Sequence, residues 1–141
     1  MVIPSLHKVF TEQDTEKLAF EFSSLLEAGE VIILNGNLGT GKTYFIKSVL
    51  KSFEVFGVNS PTFSIVNEYN ADRKYYHFDF YRIEALKELY DIGFEEYMND
   101  EEAVKFIEWG NLFPIILPHK RTEIEIKLND DFSRDFHFRK Q

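Results

Sequence analysis

A chain of 141 residues makes one domain with room for a real core and little space for a second, and a formal net charge of −8 is the wrong sign for wrapping nucleic acid unaided. The absence of cysteine excludes disulfides, thiol catalysis and cysteine-ligated metal, which leaves a reducing cytosol as the natural compartment. No apolar run approaches the ~20 residues of a membrane helix and residues 1–10 hold no long apolar core, so the sequence reads as soluble, unprocessed and without a membrane partner.

In chain order, a short strand is expected at 8–10. Thr11-Glu12-Gln13-Asp14 then reads as a helix start, with a hydroxyl to cap the first turn and acids to meet the dipole. Leu18, Ala19, Phe22, Leu25 and Leu26 mark one face of that helix, and Ala28-Gly29 is expected to end it. Residues 31–34 form an apolar, β-branched run suited to a strand buried on both faces.

The run leads into Gly36-Asn37-Leu38-Gly39-Thr40-Gly41-Lys42-Thr43, which fits the spacing G-x-x-x-x-G-K-[ST] of a nucleotide-binding P-loop. Glycines let successive backbone N–H groups turn inward onto phosphate oxygens. Lys42 supplies a mobile cation for the β- and γ-phosphates, Thr43 a hydroxyl for Mg²⁺, and the helix that starts there the positive end of its dipole. Phe45, Ile46, Val49, Leu50 and Phe53 give that helix its apolar face, to about residue 53.

Ser60-Pro61-Thr62 follows as a stiff segment, in which Thr62 is a candidate sensor of the γ-phosphate or Mg²⁺ and a plain strand-entry turn is the simpler alternative. Residues 63–69 and 74–80, rich in aromatic and β-branched types around the turn 70–73, predict a β-hairpin. A short helix is expected within 84–90, an irregular, solvated acidic stretch over 91–102, and an apolar strand over 103–107 that ends in Glu108-Trp109-Gly110. In the tail, Ile124, Ile126 and Leu128 alternate with charged residues, and Phe132, Phe136 and Phe138 share one parity, predicting two half-exposed strands joined at 129–131. His77 is expected to alternate with core residues on its strand, and the four histidines are too dispersed for a metal set. The fold class expected is α/β: a P-loop NTPase-like, three-layer single domain over 1–141, with a mixed, mainly parallel central sheet and an antiparallel C-terminal strand pair.

Hydrolysis at a P-loop needs acids across from the phosphates, and these come from the carboxyl ends of neighbouring strands. Asp79 and Glu108 both end apolar runs, and both reach the site if their strands lie beside 31–34 and point the same way. Either acid can take either job. Glu108 with Thr43 is assigned to the metal, and Asp79 to the attacking water or to a supporting place behind the metal ligands.

With Ser60-Pro61-Thr62-Phe63, His77-Phe78-Asp79-Phe80-Tyr81-Arg82 and Ile107-Glu108-Trp109, the loop completes a set of motifs whose order and spacing resemble the bacterial TsaE (YjeE) family over nearly the whole chain. The resemblance implies a Mg²⁺-dependent ATPase accessory to the synthesis of threonylcarbamoyladenosine beside the anticodon of certain tRNAs; Arg82 is the only arginine attached to a motif, and if it does not reach the γ-phosphate, weak activity of the chain alone is expected. It implies work with the TsaB and TsaD pair, tRNA being met only through that complex. By the same resemblance Thr43 and Glu108 bind Mg²⁺, Asp79 is needed for hydrolysis, the Ser60-Pro61-Thr62 loop and Trp109 respond to nucleotide or partner, and Thr11 and Arg134 contribute nucleotide contacts. Thr40, Tyr44 and Gly110 depart from the usual family pattern without removing a phosphate or metal ligand.

Two further function classes fit a P-loop. A small-molecule or nucleotide kinase needs an acceptor pocket and usually an arginine-bearing lid, whereas the arginines here, at 73, 82, 121, 134 and 139, are scattered. A nucleotide-dependent binding module needs no hydrolysis at all. No Asn-Lys-x-Asp segment follows the P-loop, which leans to ATP over GTP.

Overall fold

The computed structural model describes residues 1–61 and 64–141. The elements in order are β1 (Ser5–Val9), α1 (Glu12–Ser23), β2 (Val31–Asn35), α2 (Lys42–Lys51), β3 (Val66–Asn70), β4 (Lys74–Asp79), α3 (Leu86–Asp91), α4 (Phe94–Met98), β5 (Val104–Glu108), two short 3₁₀ turns, β6 (Thr122–Leu128) and β7 (Arg134–Lys140). The strands form one seven-stranded sheet in the order β1-β7-β6-β2-β5-β4-β3. β6, β2, β5 and β4 run parallel, while β3, β7 and β1 each join antiparallel.

Alternation along the central strands divides the interior into two layers. Ile32 and Leu34 of β2, with Val104 and Phe106 of β5, face Leu18 and Phe22 of α1 and Phe45 and Ile46 of α2. Val31, Ile33 and Ile107 point the other way, toward Leu89 of α3 and Phe94 of α4. Truncating a ring such as Phe45, fully buried among Phe22, Phe136 and Phe138, costs about 3–5 kcal/mol.

The expected three-layer α/β architecture and mixed sheet are present, with local differences, among them that β1 spans Ser5–Val9 and not 8–10. α1 stops at Ser23, not at Gly29, because the Ser23 and Ser24 hydroxyls donate to the carbonyls of Phe20 and Glu21 and the chain tightens through Leu25 N–H to Phe22. The acidic stretch 91–102 contains α4, since Phe94 is fully buried and Tyr97 packs edge-on against Tyr76 and Phe78. Phe132 leaves the parity of Phe136 and Phe138: it sits at φ 67° in the turn before β7, and 78% of its surface is exposed. Only β5 of the two acid-bearing strands neighbours β2; β4 lies one strand farther out. The residues expected as a sensor at Thr62 and as the first of the hairpin at Phe63 lie outside the described residues.

Candidate active site

β2 ends at Asn35 and delivers the chain to the loop that opens α2. Gly36 has φ 154°, and a Cβ there would stand 2.5 Å from the Ile126 carbonyl oxygen of β6, so no side chain fits where the loop leaves the sheet. Gly41 precedes α2 with no side chain capping the first turn, which leaves backbone N–H groups at the helix start for an anion. Lys42 is almost fully buried. Its Nζ donates to the carbonyls of Gly36 at 2.6 Å and Asn37 at 2.9 Å and lies 4.3 Å from the centre of the Trp109 ring. Burial pushes the Lys42 amine below its ordinary pKa, against the opposing pull of Glu108, Asp79 and Glu125.

Glu108, the last residue of β5, comes to the same place from the sheet. The Thr43 hydroxyl donates to its two carboxylate oxygens at 3.0 and 2.8 Å, and Ser60 Oγ lies 2.8 Å from that hydroxyl. The segment after α2 is thereby tied to the same hydroxyl. In the β4–β5 register Asp79 stands directly opposite Glu108. Its carboxylate accepts from the Tyr81 N–H at 3.0 Å, and burial raises its pKa above the ordinary carboxylate range, partly countered by that hydrogen bond.

These groups line a cleft of about 250 Å³ with Leu38, Gly39, Gly41, Tyr44, Tyr81 and Trp109. Trp109 holds the left-handed conformation (φ 61°), its N–H donates to the Leu34 carbonyl of β2, and its ring lies 5.0 Å from that of Tyr81. At Gly110, which follows, a Cβ would meet a methyl of Ile33 at 2.6 Å. A second hollow, about 430 Å³, continues past Asp79 and Tyr81 to Arg82 and Glu88. Another, of about 410 Å³, lies around Glu27, Lys120 and Arg121 and touches none of the motif residues.

A smaller hollow of about 140 Å³ on the other flank of the loop is lined by Glu12, Thr15, Thr40, Gly41, Tyr44, Arg134 and Phe136. Thr40 Oγ1 and Arg134 Nε are buried there without a hydrogen-bond partner among the described residues. Thr11 is turned to its own helix: its hydroxyl accepts from the Asp14 N–H while the Asp14 carboxylate accepts from the Thr11 N–H. Arg134 therefore stands at the loop, whereas Thr11 caps the helix whose next residues line the hollow. Tyr44 donates to Glu16 at 2.9 Å and so joins α2 to α1; burial, then Glu16, pushes its phenol up to about 12.

One group was missed in the sequence. His77 is fully buried on β4, and its Nε2 lies 2.6 Å from Glu108 Oε2. Its parity with Asp79 was the available signal, since alternate residues of a strand share a face.

The donor set suits Mg²⁺ held jointly with phosphate: one hydroxyl, one carboxylate and open space beside a cation. Among the described residues there is no cluster of three or more His, Asp or Glu that would make an all-protein metal cage, so the remaining ligands would be phosphate and water. No helix of the described residues is long and apolar enough to cross a membrane.

Residues 9–136 match the family model described as threonylcarbamoyl adenosine biosynthesis protein TsaE. The chain is 37% identical over 128 residues to a tRNA threonylcarbamoyladenosine biosynthesis protein TsaE of Bacillus subtilis, covering 89% of this chain and 79% of that one. It is 42% identical over 103 residues to the protein of the same name from Aquifex aeolicus, 70% of this chain and 71% of the other. The crystal structure of Bacillus subtilis YdiB superposes with a TM-score of 0.78 at 30% identity, covering 98% of this chain and 86% of that chain.

Proposed function

The chain belongs to the TsaE family and has that family's role in tRNA threonylcarbamoyladenosine biosynthesis, and from this premise we propose that it is a Mg²⁺-dependent ATPase coupled to the TsaB and TsaD proteins. The observation that carries this reading is the meeting of Thr43 and Glu108 beside Lys42 at the start of α2. Thr43 and Glu108 would hold Mg²⁺, which when bound would offset phosphate charge. The loop N–H groups and Lys42 bind the β- and γ-phosphates, and Lys42 meets the negative charge that grows there as the terminal bond breaks. Asp79 orients the attacking water, and Trp109 with Tyr81 walls the cleft at its mouth. Arg134 and the first turn of α1 extend the nucleotide site on the other flank of the loop. Thr62 belongs to the same proposal as a sensor of the γ-phosphate.

The isolated chain turns ATP over slowly and its partners raise the rate. tRNA is met through the complex, since the net charge of −8 gives this chain little phosphate-neutralising surface of its own. The cytoplasm is the compartment that such machinery requires. Steady-state ATP hydrolysis by the purified chain, alone and with TsaB and TsaD, tests the reading with Lys42→Ala as control. Stimulation that is lost in Lys42→Ala supports it; a fast rate for the chain alone, or no effect of the partners, counts against the coupling.

A further inference from the structure

Glu108 receives donors from two sides. The Thr43 hydroxyl reaches it from α2, and His77 reaches Oε2 from β4 at 2.6 Å. The two contacts differ in what a metal does to them. A cation taken up by Thr43 and Glu108 competes with the bond between these two residues, whereas His77 approaches from within the sheet. His77 is also buried completely, with Nδ1 lacking a hydrogen-bond partner among the described residues, so Nε2 to Glu108 is the polar contact that orients the imidazole.

We propose that His77 is a positioning residue for Mg²⁺: its Nε2–H holds Oε2 of Glu108 from behind and so fixes the carboxylate for the metal. The β4–β5 register explains how a strand residue can do this. His77 pairs with Phe106, so Glu108 is its diagonal neighbour on the same face, within reach of a long side chain. Groups that orient a metal ligand in this way alter metal affinity by roughly 10- to 100-fold when removed.

The inference rests on the reading that Thr43 and Glu108 hold Mg²⁺, and the test separates the two. ADP binding is measured by titration calorimetry in EDTA and over a series of Mg²⁺ concentrations, for the wild-type chain, His77→Gln and His77→Asn. Gln places an amide nitrogen near the position of Nε2; Asn places one near Nδ1, which has no partner to serve. The expected result is unchanged ADP affinity in EDTA for all three, a Mg²⁺ midpoint within a few-fold of wild type for Gln, and one raised roughly 10- to 100-fold for Asn. His77→Met, which matches Gln in length and has no donor, should behave as Asn does and keeps the test usable if Asn does not fold. An unshifted midpoint in Asn or Met, or equal losses in Gln and Asn, overturns the role of His77. A wild-type chain that binds ADP with no response to Mg²⁺ overturns the metal assignment itself.

Discussion

Two buried lysines mark opposite ends of the sheet, and their difference separates the part of the molecule that binds from the part that holds the fold. Lys42 at the phosphate end and Lys105 near the amino end of β5 are both nearly or wholly inaccessible, and in both burial lowers the amine's pKa. Lys105 donates to the carbonyls of Gly29, Met98 and Asp100, stapling β5 to the turn before β2 and to the end of α4. Lys42 has carbonyl partners in a glycine-rich loop, an aromatic ring at its flank and two carboxylates close by in a cleft. Equal burial thus serves two ends: Lys105 completes a closed set of backbone acceptors, while Lys42 can exchange its carbonyls for phosphate oxygens.

Substitution at the two sites should separate them. Lys42→Ala is expected to lower the partner-stimulated rate of ATP hydrolysis by about 10²–10³-fold, the scale set by removing one preorganised charge-stabilising donor. Its melting temperature should change little, because the two carbonyls that lose their donor belong to the half-buried Gly36 and the exposed Asn37 and no packed segments are tied together through them. Lys105→Ala should do the reverse. Three carbonyls of half-buried residues lose the donor that ties β5 to two other segments, so urea denaturation should show a loss of about 1–3 kcal/mol, with the hydrolysis rate per folded molecule preserved. A Lys105 variant that folds normally but hydrolyses poorly would break the division between the two ends.

The phosphate end was the more legible of the two in sequence, because its requirements are local. Glycines at fixed spacing, a lysine and a hydroxyl at the start of a helix fall within eight residues, and the strand before and the helix after them are where the pattern requires. Asp79 and Glu108 could be chosen as strand-end acids. Their direct pairing could not, because it depends on β4 lying beside β5 and not beside β2, and strand order is a property of the whole sheet. The contact of His77 with Glu108 was hidden for the same reason. Burial along β4 was predictable from alternation; the neighbour it reaches across the sheet was not. α4 was masked by surrounding acids, since its place depends on Phe94 and Tyr97 finding rings on β4. Lys105 gave no signal at all, as a lysine in an apolar run shows nothing of the carbonyls that distant segments bring to it.

The smallest effect expected concerns stability at the binding end, and its sign is set by Asp79. Burial is the largest influence on this carboxyl and raises its pKa above the ordinary 3.8, so the native state disfavours the charged form relative to the unfolded chain. That burden is absent below the unfolded value, grows as pH rises through the interval up to the native value, and is fully present above it. Asp79→Asn removes it while keeping an oxygen to accept from the Tyr81 N–H. The variant should therefore melt slightly higher than wild type at neutral pH, and thermal melts at successively lower pH should show the advantage shrinking toward zero as pH falls below 3.8. An advantage that stays constant with pH would assign it to packing instead of charge. One that falls away as predicted would mean that the carboxyl end of the sheet keeps a half-buried charge that lowers stability, whereas at the amino end the charge of Lys105 holds segments together.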